Sequence, residues 1–176
     1  MIESYWINKG LPVKSVWLPL DNLDGISPIH QSYGVCFNDN KEVMVIRNPL
    51  EEGGFKPWNL PGGTPEEGET PVQTLIREVD EEADISITDI KLLGAVEVLC
   101  PGNSNKEKGD HYYQLRFFAK ISEIRDQTPD PSDNKMVERK LIPAGEFTDY
   151  IKWGPVGEEL IKVALEEFEK SKNFII

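Results

Sequence analysis

Residues 63–85 read GTPEEGETPVQTLIREVDEEADI, and this stretch carries both the fold and the chemistry. Thr70 is placed to N-cap a helix, Pro71 suits its first position, and Gln73 completes a capping box. Val72, Leu75, Ile76, Val79 and Ala83 then recur at helical spacing. With Glu78 set at zero, 100° per residue puts Glu81 at about −60° and Glu82 at about +40°. The five apolar residues fall between about +60° and +160°, the side that must be buried. Three carboxylates therefore share one narrow face beside the core. Like charges at these spacings repel by a few tenths of a kcal/mol per pair. A solvated acidic face is the ordinary explanation of such a run. A bound counter-charge is the other, and oxygen ligands on a rigid helix suit Mg²⁺ or Mn²⁺.

The spacing favours the second explanation. The segment fits G-x5-E-x7-R-E-U-x-E-E-x-G-U, with U aliphatic, at eight of nine fixed positions: Gly63, Glu69, Arg77, Glu78, Val79, Glu81, Glu82 and Ile85. Here the chain resembles the Nudix hydrolase family. Weaker similarity runs from about Ser32 to Phe147 and includes the lead-in Trp58-Asn59-Leu60-Pro61-Gly62-Gly63. The resemblance implies an α/β/α sandwich with a mixed β-sheet. It implies hydrolysis of a nucleoside diphosphate linked to another moiety, with water attacking phosphorus. The family's metal-binding glutamates map onto Glu78, Glu81 and Glu82, and the carbonyl of Gly62 is a further ligand in some members. Arg77 would orient the cluster together with Glu69. Some members use the carboxylate at the Glu78 position as general base, and others take the base from a loop outside the box.

The ninth position departs from the pattern, with Asp84 in place of glycine. A helix that ends there often needs a left-handed residue, which Asp tolerates better than most. The expectation is a modest stability cost with catalysis intact, so that Asp84→Gly is neutral or stabilising by up to ~1 kcal/mol.

Beyond the box the residues say less. Glu138 precedes an expected strand, as an acidic residue does late in the family pattern, and it is the candidate for an extra ligand or base. A surface glutamate is the alternative, and Glu97 and Glu123 compete. Arg47 matches a family position that can touch phosphate, or it forms a structural ion pair. Trp58 either stacks on a base or packs in the core. His111 is a minor candidate for the mouth of the site. Family members that hydrolyse ADP-ribose often carry a proline about sixteen residues past the box, and Pro101 stands sixteen after Ile85. ADP-ribose or a nucleotide sugar is therefore the first substrate expectation. Nucleoside triphosphates follow, then dinucleotide polyphosphates. A non-catalytic nucleotide sensor is the rival from another class, and an acidic Ca²⁺ binder is more distant.

Around this centre, Gln31–Phe37 and Glu42–Arg47 flank Asn38-Asp39-Asn40-Lys41 and predict a β-hairpin. Strands are expected at Ile90–Leu99 and His111–Ile121, separated by the polar, glycine-rich Pro101–Asp110, which is expected to be a mobile loop that selects the substrate. A closing amphipathic helix is expected over Val156–Lys170. At 176 residues, one domain is expected, with residues 1–30 as an extension packed on it. Acidic residues outnumber basic ones 31 to 19, for a net charge of −12. That excludes a nucleic acid polymer as the natural partner and leaves a small nucleoside diphosphate derivative bridged by a cation. The two cysteines, Cys36 and Cys100, form no zinc pattern. No signal peptide or membrane span is legible, so a cytoplasmic protein is expected, and a homodimer is compatible with the sequence.

Overall fold

The computed structural model describes residues 1–8, 10–102 and 109–172. The inner part of the Pro101–Asp110 insert, residues 103–108, lies outside the described residues.

The architecture follows from side chains that alternate across two central strands. In β3 (Ile29–Phe37), Tyr33, Val35 and Phe37 face one way and Ser32, Gly34 and Cys36 the other. In β7 (His111–Ile124), Phe118 joins the first set and Leu115, Phe117 and Ala119 join the second. Both strands are apolar on both faces, as strands in parallel pairs usually are. They do pair in parallel, from Gln31 opposite Gln114 to Phe37 opposite Lys120. Around them lie β1 (Glu3–Asn8), β2 (Leu11–Pro19), β4 (Glu42–Arg47), the short β5 (Gly62–Gly63), β6 (Ile85–Leu99) and β8 (Glu138–Pro143). Among the described residues these eight strands make one mixed sheet, in the order β1-β2-β6-β7-β3-β4-β8 with β5 on β3.

Helices cover both faces. α1 (Pro71–Ala83) sets Leu75, Val79 and Ala83 against Cys36, Met44, Ile46, Leu115 and Phe117. After the short α2 (Phe147–Tyr150), α3 (Pro155–Lys172) lays Leu160, Ile161, Ala164 and Phe168 over Val35, Phe37, Val43 and Phe118. The expected α/β/α sandwich with a mixed sheet is what forms. Phe168 shows how the closing helix is held: it is fully buried and stacks on Phe37 at 5.0 Å between centroids. Truncating such a phenylalanine costs about 3–5 kcal/mol.

Three local expectations need correction. The turn at 38–41 forms, with Asn38 accepting at Oδ1 from the Asn40 and Glu42 amides. Its strands, however, pair only at Phe37 opposite Val43 and then diverge. β4 pairs instead with β8 over its whole length, and the segment leading into the box fills the fork. Ile46 bridges to Asn59, and β5 lies on β3 with Gly62 opposite Tyr33. A glycine is required there: Gly62 has φ 142°, and a Cβ would run into the Ser32 carbonyl. Second, β6 begins at Ile85, directly after the helix, rather than at Ile90. The polar Thr88-Asp89 step is absorbed as a register shift with Asp89 at φ 52°. Third, β7 continues to Ile124 instead of stopping at Ile121.

The N-terminal residues extend the sheet in its own plane, since β2 pairs with β6 and β1 pairs with β2. Ser4 ties this edge to the turn before α3: its hydroxyl donates to the Trp153 carbonyl at 2.6 Å and accepts from the Val156 amide at 3.1 Å. Among the described residues no helix is long and apolar enough to cross a membrane. Cys36 and Cys100 are both free and buried.

Candidate active site

The site grows from the two ends of α1. At the start, Thr70 and Gln73 form the reciprocal capping box: the Gln73 amide donates to Thr70 Oγ1 at 3.3 Å and the Thr70 amide to Gln73 Oε1 at 2.9 Å. At the end, Asp84 is left-handed, with φ 47° and ψ 45°, as its place in the pattern requires. Its carboxylate does more than tolerate that shape. Thr128 donates to it from both its amide, at 3.0 Å, and its hydroxyl, at 2.7 Å, so the loop after β7 is clamped to the helix terminus. Those bonds reverse the sign expected for Asp84→Gly.

The buried face of α1 is turned toward the carboxylates compared with the stripe read from the sequence. Val72 and Ile76, expected inside, are 38% and 46% exposed, whereas Thr74 and Glu82 are buried. Glu82, at about +40° on the helix wheel, therefore falls within the packed side. It accepts the Gly62 amide at 2.9 Å and a bond from the Asn48 side chain. Burial pushes its carboxyl up to about 8, and the nearby charges of Glu78 and Asp130 add to this. Glu78, one turn earlier, is also raised, first by burial, with Glu81 and Asp130 reinforcing. Gly63 leaves it room, because a Cβ at that position would overlap the Glu78 carboxylate.

One cation organises the rest. Arg77 donates from Nε to Glu69 at 2.7 Å, from Nη1 to Glu78 and Glu81 at 3.0 Å each, and from Nη2 to the Thr64 carbonyl at 3.0 Å. The Arg77 guanidinium holds Glu69 down to about 2. Glu82 has no such partner among the described residues. Side by side stand two carboxylates disfavoured as anions, one of them with no cationic neighbour. As the side chains lie, no three His, Cys, Asp or Glu residues among the described residues ring a metal position. The donor set, all oxygen and short of positive charge, nonetheless fits a hard divalent cation, and Glu78, Glu81, Glu82 and the Gly62 carbonyl are the groups that could hold it.

Asp130 is the residue the sequence reading missed. It is buried, flanked by Pro129 and Pro131, and fixed by bonds from the Ser132 amide to its Oδ1 at 2.8 Å and from its own amide to the Lys135 carbonyl at 2.9 Å. The Thr128–Asp84 clamp, two residues away, holds this loop against α1. The only sequence signal was an aspartate locked between prolines.

The outlying candidates sort themselves. Glu138 and Arg47 are brought together, but with each other: Arg47 Nε and Nη2 each lie 2.7 Å from Glu138 Oε2. The Arg47 guanidinium also stacks on Phe55 at 4.4 Å and on Trp58 at 4.5 Å. Trp58 is partly buried and meets Tyr150 edge-on. Glu97 binds His111 at 2.7 Å, and Glu123 lies 3.8 Å from Arg125. Pro101 is exposed in the turn after β6.

A profile of the NUDIX domain matches residues 28–163. The chain belongs to the Nudix family. Among relatives of this Nudix chain, the 8-oxo-dGTP diphosphatase of Proteus vulgaris is 40% identical over 70 residues, covering 39% of this chain and 61% of that protein. Nudix hydrolase 5 of Arabidopsis thaliana is 28% identical over 129 residues, covering 72% of this chain and 40% of that one. The chain thus spans less than two thirds of either relative. A mutant of the Bacillus subtilis pyrophosphohydrolase BsRppH superposes with a TM-score of 0.63 at 16% identity, over 95% of this chain and 96% of that one, which speaks for the fold.

Proposed function

We propose that residues 1–176 form one cytoplasmic Nudix domain that hydrolyses a phosphoanhydride bond in a nucleoside diphosphate linked to another moiety, ADP-ribose or a nucleotide sugar among them. The observation that carries this reading is Glu82: a carboxylate only 9% exposed, within reach of the charges of Glu78 and Asp130, with no cationic side chain among the described residues to neutralise it. Glu78, Glu81, Glu82 and the Gly62 carbonyl would hold Mg²⁺ or Mn²⁺. When bound, such an ion clamps the diphosphate, neutralises developing charge and acidifies the attacking water. Arg77 keeps Glu78 and Glu81 oriented from the solvent side, and through Glu69 and Thr64 it fixes the loop to the helix. Glu78, raised by burial and bonded by Arg77 through Oε1, accepts the proton of the attacking water. Arg47 and Trp58 line the approach for the phosphates or the leaving moiety, with Glu138 holding Arg47 until substrate arrives. Pro101 opens the segment assigned to the far end of the substrate.

A second reading, nucleoside triphosphate hydrolysis, is supported by the 40% identity over 70 residues to a protein named for 8-oxo-dGTP. A hydrolysis screen tests both, with ADP-ribose, nucleotide sugars and nucleoside triphosphates as substrates, Mg²⁺ or Mn²⁺ present or chelated, and products identified. Metal-dependent release of a nucleoside monophosphate is expected. A folded protein that binds these nucleotides and cleaves none would overturn the enzymatic reading in favour of a sensor.

A further inference from the structure

Burying a guanidinium without a carboxylate is costly, and apolar residues of similar size would fill the same space without that cost. Arg116, in the centre of β7, is such a group. It is 2% exposed in an otherwise apolar run, Leu115-Arg116-Phe117-Phe118. Its Nη1 donates to the Leu115 carbonyl at 3.1 Å and its Nη2 to Gln114 Oε1 at 2.9 Å, while its Nε has no acceptor. No carboxylate pairs with it among the described residues. Two aromatic rings flank it, Tyr33 and Trp153, each with its centroid 4.8 Å from Cζ. Burial lowers its pKa to about 10, so it remains a cation at neutral pH.

Its address in the sheet is specific. Arg116 lies opposite Tyr33, and Tyr33 lies opposite Gly62, whose amide binds Glu82. Two inter-strand steps, about 10 Å in all, separate the Arg116 backbone from the backbone at the carboxylate cluster. A nucleotide spans a comparable gap between its base and its phosphates. The Trp153 ring that covers the cation comes from the turn between α2 and α3, is only partly buried, and precedes Gly154 at φ 59°. The cover therefore belongs to a surface turn rather than to the sheet. Gln114, its amide bonded to Gln31 at 2.5 Å, adds a polar group beside the guanidinium.

We propose that Arg116 reads the nucleobase of the substrate, donating its unused N–H to the carbonyl edge of a keto base, guanine or uracil, which takes the place of the Trp153 ring beside the guanidinium. The inference rests on the hydrolase reading above and narrows its substrate class to guanine and uracil nucleotides, which sets ADP-ribose, an adenine nucleotide, aside. A guanidinium offers donors only. Guanine presents O6 and N7 as two acceptors, whereas adenine places an amino donor beside N7 and so confronts the arginine with a like group.

The test compares GTP, UTP and ATP with Mg²⁺ in the wild type and in Arg116→Lys, which keeps the charge but loses the planar fork. The wild type should favour a keto-base nucleotide over ATP by about tenfold or more in kcat/KM, and Arg116→Lys should bring that ratio toward one, chiefly through KM. The comparison of GTP with UTP says which keto base is read. Equal efficiencies in the wild type, or an unchanged ratio in a folded Arg116→Lys, overturn the proposal and leave the hydrolase reading standing. If none of the three is cleaved, the triphosphate reading fails separately, and GMP, UMP and AMP titrated against tryptophan fluorescence still test the base reader. The same titration on the wild type decides the matter if Arg116→Lys does not fold. There, tighter binding of GMP or UMP than AMP, with the signal lost in Trp153→Phe, supports the proposal, and equal binding of all three sinks it.

Discussion

Replacing Asp84 by glycine would restore the residue that the box pattern carries at that position, yet the structure predicts that the protein becomes weaker. Glycine relieves the left-handed conformation and gains about 1 kcal/mol. Against this, the Asp84 carboxylate is buried and receives two bonds from Thr128. Hydrogen bonds to a charged acceptor contribute about 1.5–3 kcal/mol each, and the donors left behind are partly buried. The net loss is about 2–5 kcal/mol by this reckoning. In a chain of this size each kcal/mol moves the midpoint by about 2–4 °C, so Tm should fall by roughly 4–20 °C. The same bonds anchor the loop that carries Asp130, so hydrolysis should fall as well. Asp84→Asn, which keeps one acceptor and tolerates the left-handed shape, should lose less of both. Calorimetry on the three proteins, with turnover measured at a temperature where all are folded, checks this. A glycine variant as stable as the wild type would refute the clamp.

Three further outcomes follow from the site. Glu82→Gln replaces a buried carboxyl that burial disfavours as an anion, so the metal-free protein should be at least as stable while turnover at limiting Mg²⁺ falls by ~10²-fold or more; near-normal turnover would remove Glu82 from the metal set. Gly63→Ala should displace only the Glu78 carboxylate, lowering activity tenfold or so with little change in Tm, whereas Gly62→Ala meets the Ser32 backbone and should unfold the protein several degrees earlier; thermal melts and kinetics on the pair separate the two. The Cys36 thiol, pushed up to about 12 by burial, should resist thiol reagents at pH 8 for as long as the protein stays folded. Rapid labelling of Cys36 under native conditions would contradict its placement between β3 and α1.

The parts of the fold legible in the sequence are those fixed by local rules. The capping box at Thr70, the left-handed end at Asp84 and the stripe of α3 all follow from contacts within a few residues. The carboxylate cluster was legible for the same reason, since helical spacing alone places Glu78, Glu81 and Glu82 together. What escaped depends on contacts between distant segments. Asp130 reaches the site only because Thr128 is bonded to a helix end more than forty positions away. The splayed β3 and β4 look like an ordinary hairpin until residues 59–63 enter the fork, and no periodicity announces that. Glu82 lies between these cases: its wheel angle was right, but its burial needed the neighbouring β5 strand.

The parallel seam between β3 and β7 also sets an order of events in time. It joins residues some eighty positions apart, from Ile29 with Tyr113 to Phe37 with Lys120, whereas β6 and β7 are consecutive antiparallel partners. Closing a long loop delays a contact, and folding slows as contacts become more distant along the chain. The β6–β7 hairpin and α1 should gain protection early, and β3 late. Because Gly62 can lie beside Glu82 only once β5 has docked on β3, metal affinity should emerge in the last phase of refolding. Pulse-labelled hydrogen exchange followed alongside metal binding would show the two appearing together, after the hairpin is already closed.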